Sequence, residues 1–126
     1  MDNYILGIVG IVALAFIGYS LLSDRSEENE GTIRLGAIIS ETGVAASFGE
    51  MSRKGIKLAV SEINAKGGVN GRTVEVVFED DGTDPTKALS AYQKLVSVDN
   101  VSAIIGSNFD FVTQPLFAAA KTGDVA

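Results

Sequence analysis

One stretch, residues 33–68, limits what this chain can become. Ile33-Arg34-Leu35-Gly36-Ala37-Ile38-Ile39 is a mostly apolar run, short enough to be a buried strand. Ser40-Glu41-Thr42-Gly43-Val44-Ala45-Ala46 is small and polar without helical periodicity, so it reads as a loop. Ser47-Phe48-Gly49-Glu50 then has the Ser-x-x-Glu spacing of a capping box. Ser52, Gly55, Ile56, Ala59, Val60 and Ile63 follow at helical spacing and predict one stripe against a core. Gly67-Gly68 predicts the helix end, because glycine reaches the left-handed geometry of a C-terminal cap. A buried strand feeding an amphipathic helix is the first half of a βαβ unit. In open sheets of that kind ligands sit at the carboxyl ends of the strands, so the loop of residues 40–48 is the first place to look for a site.

The rest of the chain repeats the pattern. Val69-Asn70-Gly71-Arg72 reads as a turn, Thr73–Phe78 as a second strand, and Glu79–Thr83 as the loop at its carboxyl end. Asp84-Pro85 predicts a helix start, with Asp as N-cap and Pro at the first helical position. Ala88, Ala91, Tyr92, Leu95 and Val96 form its inward stripe, and Asp99-Asn100 stops it. Residues 101–105 predict a third strand, followed by Gly106-Ser107-Asn108-Phe109-Asp110 and a third helix over 112–121 with Pro115 in its first turn. Residues 122–126 would turn into a fourth strand. The order β-α-β-α-β-α, with short loops and right-handed crossovers, predicts an α/β fold: a parallel three-stranded sheet with flanking helices.

The N-terminal part reads differently. Residues 1–3 are a short tail, and residues 4–22 carry no charge. At about 19 residues that segment is long enough to cross a bilayer as a helix. It reads as a transmembrane anchor first and a cleaved signal second; a buried soluble helix comes last, because no polar face is present. Its glycines do not make a Gly-x-x-x-Gly pair, so no helix-dimerisation face is indicated. Arg25 is the only nearby basic residue, so charge does not set the orientation. Residues 23–32 are polar and acidic and read as a flexible linker, leaving 33–126 as the folded part.

Composition excludes several classes of function. The net charge is −6 and no basic patch exists, so nucleic acid is not an expected partner. Without cysteine or histidine there is no disulfide, thiolate, imidazole base or zinc site of the usual kind. Glu79, Asp80, Asp81 and Asp84 could hold a hard cation. The plainer reading has Asp84 capping a helix and the others solvated near its N-terminus. Asp80 or Asp81 could serve a phosphoryl-transfer enzyme, but no histidine stands by as a general base. Neither Gly-x-Gly-x-x-Gly nor a phosphate loop follows the first strand, which disfavours nucleotides. No metal and no cofactor is expected.

Two loops remain as candidates. Phe48 stands at the mouth of the sheet, either as a pocket wall or as a hydrophobic staple at the helix entry. Ser107, Asn108, Phe109 and Asp110 follow the third strand. Asn108 and Asp110 offer hydrogen-bonding groups, and backbone N–H groups near the next helix could hold an anion. The alternative is an ordinary turn with an N-cap. Asn100-Val101-Ser102 is a glycosylation sequon that enters a predicted strand and is a weak hint.

These residues carry a resemblance. Gly36-Ala37-Ile38 with Thr42-Gly43, Ser47-Phe48-Gly49 and Gly55-Ile56-Lys57-Leu58-Ala59-Val60 look like the opening of periplasmic-type solute-binding proteins, in the branched-chain amino acid and amide group. Glu62-Ile63-Asn64-Ala65-Lys66-Gly67-Gly68-Val69-Asn70-Gly71-Arg72 is the most specific part. Asp80-Asp81-Gly82-Thr83-Asp84-Pro85, Ile104-Ile105-Gly106-Ser107 and Thr113-Gln114-Pro115 agree in order and spacing. The resemblance implies a non-enzymatic, extracytoplasmic receptor with two α/β lobes joined by a hinge. It closes on a small solute and hands it to ABC permease subunits. It further implies that the aromatic matching Phe48 lines the cleft and that the loop with Ser107, Asn108, Phe109 and Asp110 contacts the solute. Asp110 stands where a serine is usual in amino-acid binders, so a ligand carboxylate would be repelled; an amide, a urea-like compound or a cationic solute is expected instead. The chain stops about a third of the way through such a protein, and residues 31–126 alone are expected to bind solute weakly or not at all. The other readings are the outer domain of a membrane sensor and, last, an intracellular α/β enzyme.

Overall fold

The computed structural model describes residues 31–121. The tail, the apolar segment 4–22, nearly all of the linker and the expected turn at 122–126 lie outside those residues. Among the described residues no helix is long and apolar enough to cross a membrane. The elements are β1 (Ile33–Ile39), α1 (Ala46–Ala65), β2 (Val74–Asp80), α2 (Pro85–Ser97), β3 (Ala103–Ile105) and α3 (Asp110–Ala120).

The strands form a parallel sheet in the order β2-β1-β3, as the alternation of elements predicts. Ile33 pairs with Val74 and Ile39 with Asp80 on one side of β1; Leu35 pairs with Ala103 and Ala37 with Ile105 on the other. The central strand is buried from Gly36 through Ile39, which is why it is apolar without alternation. The chain moves one way from β1 to β2 and back past β1 to β3. Right-handed crossovers therefore place α1 on one face and α2 with α3 on the other. On that second face Ile38, Ala88, Ala91, Tyr92, Leu95, Val101, Val112 and Leu116 make the core. The α2 stripe is the expected one, and Asp84 caps α2 by accepting from the N–H groups of Thr86 and Lys87 at 2.8 and 2.9 Å.

Several local expectations give way to longer-range contacts. The capping box at Ser47 and Glu50 does not form: α1 begins at Ala46, and Ala45 occupies the N-cap position without a side-chain bond. The stripe on α1 is only partly right. Ser52, Ile56 and Val60 are half-buried, but Gly55, Ala59 and Ile63 are exposed, and the line against the sheet runs through Gly49, Arg53, Ile56, Val60 and Asn64. A three-stranded sheet is narrow and covers only that line. Glu79 and Asp80 belong to β2 rather than to a loop, because they lie opposite Ile38 and Ile39 in the ladder. β3 is shorter than expected. Because Phe109 O accepts from both Val112 N and Thr113 N, α3 starts early and Pro115 falls inside the helix, beyond its first turn. The α1 end is as expected: Gly68 has φ +76°, and a Cβ there would lie 2.0 Å from Arg72 O.

Candidate functional site

Parallel strands send all their following loops to one edge. Here those are residues 40–45 after β1, 81–84 after β2 and 106–109 after β3. The crossovers diverge at β1, so the switch point lies between the ends of β1 and β3, where an open α/β sheet leaves a crevice.

The side chains that sequence singled out meet across that point. The rings of Phe48 and Phe109 make an edge contact, 5.8 Å between centroids at 80°. Phe111 continues the cluster at 5.9 Å from Phe109. The Asn108 amide donates to Ser52 Oγ at 2.7 Å, a second link between the β3–α3 loop and α1. Phe48 is 52% exposed and Phe111 57%, so two aromatic surfaces remain open at the rim. Phe48 lies inside α1, past the position a staple would occupy. Asp110 opens α3 and is exposed, in a first turn that favours negative charge. Phe109 holds the N-cap position of α3 without a side-chain bond. Ser107 is placed differently from its neighbours. Its hydroxyl donates inward to Asp81 Oδ2 at 2.6 Å. Asn100 precedes β3, at the opposite edge of the sheet.

The acidic run after β2 is not a solvated loop. Asp81 is fully buried; its Oδ1 accepts from Ser40 Oγ and from Thr83 N, each at 2.7 Å. Asp80 accepts from the N–H groups of Glu41 at 2.8 Å, Thr42 at 3.0 Å and Gly82 at 2.9 Å, and from the Thr42 hydroxyl. Glu79 pairs with Lys94. The two carboxylates are thus filled by donors of this chain, and no group of three or more acidic side chains among the described residues could hold a metal ion. Glu41 also pairs with Arg53, whose guanidinium lies 4.1 Å above the Phe78 ring centre, so the β1–α1 loop is fixed from the β2 side as well. Sequence reading weighed Asp80 and Asp81 as cation ligands, phosphoryl-transfer residues or solvated acids and missed their bonds to Ser40 and Thr42. The available signal was two consecutive acids ending one strand and two hydroxyl residues following another, which a parallel register brings to one edge.

Asp80 gives a pH signature. Burial works against its charge, but the Thr42 hydroxyl and the N–H groups of Gly82, Thr42 and Glu41 outweigh that and hold the carboxyl below its usual range. A folded-state value below the unfolded one stabilises the fold above the ordinary carboxylate range, and the gain is lost as pH falls through the lowered value. Asp80→Asn is therefore expected to unfold at lower urea than wild type at pH 7, and the two midpoints should converge as pH falls through the lowered value. Midpoints that stay equally far apart would locate the effect elsewhere.

The site offers aromatic faces, an amide and a carboxylate at an exposed rim. That is equipment for holding a small molecule. Comparison with known proteins agrees. Residues 32–125 match the family model described as periplasmic binding protein. The leucine-, isoleucine-, valine-, threonine- and alanine-binding protein of Pseudomonas aeruginosa is 36% identical over 100 residues, covering 79% of this chain and 25% of that protein. Among solved structures, the branched-chain amino acid transporter substrate binding protein of Streptococcus pneumoniae, in complex with isoleucine, superposes with a TM-score of 0.72 at 37% identity, over 75% of this chain and 27% of that one. A fatty acid ABC transporter substrate-binding protein from Thermomonospora curvata gives a TM-score of 0.56 at 43% identity, over 60% of this chain and 19% of that one. The chain spans about a quarter of the length of the curated relatives it matches. These relatives are binding proteins, not enzymes. With the parallel sheet, the switch-point rim and the family match over nearly all described residues, the chain belongs to the periplasmic binding protein family, in its branched-chain amino acid group.

Proposed function

We propose that this chain supplies part of the first lobe of an extracytoplasmic solute receptor that serves ABC permease subunits and is tethered to the membrane through residues 4–22. Phe48, Asn108, Phe109 and Asp110 line its solute cleft, with Ser107 behind them. The observation that carries this reading is the Phe48–Phe109 contact across the gap between β1 and β3, which puts an aromatic wall where such sheets take ligands. Phe48 and Phe111 would receive the apolar body of an amino acid, amide or related small solute. Asp110 stands in the first turn of α3, where a carboxylate ligand would meet like charge. The preferred head group is therefore an amide, a urea or a cation.

Titration calorimetry of the full-length protein tests both parts. Benzamide or phenylurea should bind more tightly than L-leucine, and Asp110→Ser should shift the ratio toward L-leucine by up to about 5-fold, since two exposed unit charges about 4 Å apart in water interact by about 1 kcal/mol. Tight L-leucine binding that ignores Asp110→Ser would end the reading.

A further inference from the structure

We propose that Asp81 is the positioning residue of the rim: its buried carboxylate sets the spacing between the loops that carry Phe48 and Phe109. This rests on the reading of the rim as a solute site. A carboxylate with no exposure is unfavourable unless its oxygens are filled by donors. Those of Asp81 take three short bonds, and the donors come from three different strand ends. Ser40 follows β1, Thr83 lies in the loop after β2, and Ser107 follows β3.

Each oxygen leads to one side of the rim. Oδ1 holds Ser40, whose carbonyl is the surface on which the Gly49 backbone of α1 sits, next to Phe48. Oδ2 holds Ser107, two residues before Phe109. The ladder between β1 and β3 ends at Ala37 and Ile105, so beyond it the β3–α3 loop needs other ties. Its side-chain bonds to the rest of the rim are Ser107 to Asp81 and Asn108 to Ser52. Asp81 is the inner tie and the only one of the two acceptors that also binds the β1 end. Sequence separation hides this, because the three elements meet only in the folded sheet.

Fluorine NMR of the full chain labelled with para-fluorophenylalanine tests the proposal, with each resonance assigned by substituting its phenylalanine. Asp81→Asn keeps the size but turns one acceptor into a donor. It should move the Phe48 and Phe109 resonances by several linewidths and leave that of Phe78, on β2, in place. Val74→Ala removes packing at the opposite end of the sheet, where Val74 is buried beside Ile33; it should lower the melting temperature and leave the rim resonances where they were. Ser107→Ala should reproduce the Phe109 shift, and Asp81→Asn should add little to it. Folded Asp81→Asn with wild-type rim resonances overturns the proposal, as does an equal rim response to Val74→Ala. If Asp81→Asn does not fold, Ser107→Ala decides: an unmoved Phe109 resonance overturns the proposal and a moved one supports it. These readouts do not use a solute, so a rim that responds as expected in a protein that binds none of the solutes tested would refute the functional reading and leave the positioning role standing.

Discussion

Gly49→Ala is expected to destabilise the fold by about 3 kcal/mol, and Gly55→Ala, in the same helix, to stabilise it by about 0.5–1 kcal/mol. The helix-propensity gain from glycine to alanine is nearly the same at both positions, so the contacts decide the sign. A Cβ on Gly55 meets nothing within 4 Å. A Cβ on Gly49 would lie 2.0 Å from Ser40 O, 2.4 Å from Ser40 C and 2.9 Å from Glu41 N. All three are backbone atoms at the end of the central strand, so no rotamer change relieves the clash. Either α1 backs away by more than an ångström or the end of β1 gives. Retreat would strip the line Gly49, Arg53, Ile56 and Val60 of its contact with the sheet and would open the Phe48–Phe109 contact. Domains of this size are stable by about 5–15 kcal/mol, so the loss is a large share of the total. Urea unfolding of the two variants followed by circular dichroism measures it. A shift of the same sign for both would show that the close approach of α1 to Ser40 does not govern the packing.

The same contact explains where sequence reading stopped. Ser47 and Glu50 carry the local grammar of a helix start, but Gly49 must face Ser40, and the helix begins where that contact puts it. Where no distant partner intervened, local chemistry was enough. Asp84 with Pro85 starts α2, and Gly67-Gly68 ends α1. The meeting of Phe48 and Phe109 was legible for a different reason: strand order and crossover handedness alone send both loops to one edge. Asp80 and Asp81 were misread because acids in short polar runs are usually solvated. Their donors lie up to 41 residues away in sequence. The register that sets Asp80 opposite Ile39 brings them together, and nothing within a ten-residue window records it.

Asn64→Leu is expected to destabilise the fold by about 2–4 kcal/mol, because it orphans two backbone groups at once. Ile33 N donates to Thr73 O at 2.8 Å, so alternate backbone groups of the β2 start face β1 and those of Val74 face the sheet's outer edge. The Asn64 amide occupies the place of a neighbouring strand there. Its Nδ2 donates to Val74 O and its Oδ1 accepts from Val74 N, both at 2.8 Å. Val74 is 5% exposed, so water is a poor replacement. Leucine matches the volume and supplies neither bond, which isolates the polar contribution from packing. Asn64→Asp separates the two bonds. A carboxylate keeps the acceptor for Val74 N but turns a second oxygen toward Val74 O, and only the protonated acid restores the donor. Its folded-state pKa must therefore rise above the unfolded value. The stability it recovers is present at low pH and lost as pH increases through the folded value. The deficit of Asn64→Asp against wild type should shrink as pH falls from 7 toward about 4, while that of Asn64→Leu stays level. A deficit for Asn64→Asp that does not change with pH would mean the donor half of the pair contributes nothing, and the edge of β2 would then have to be satisfied by another group.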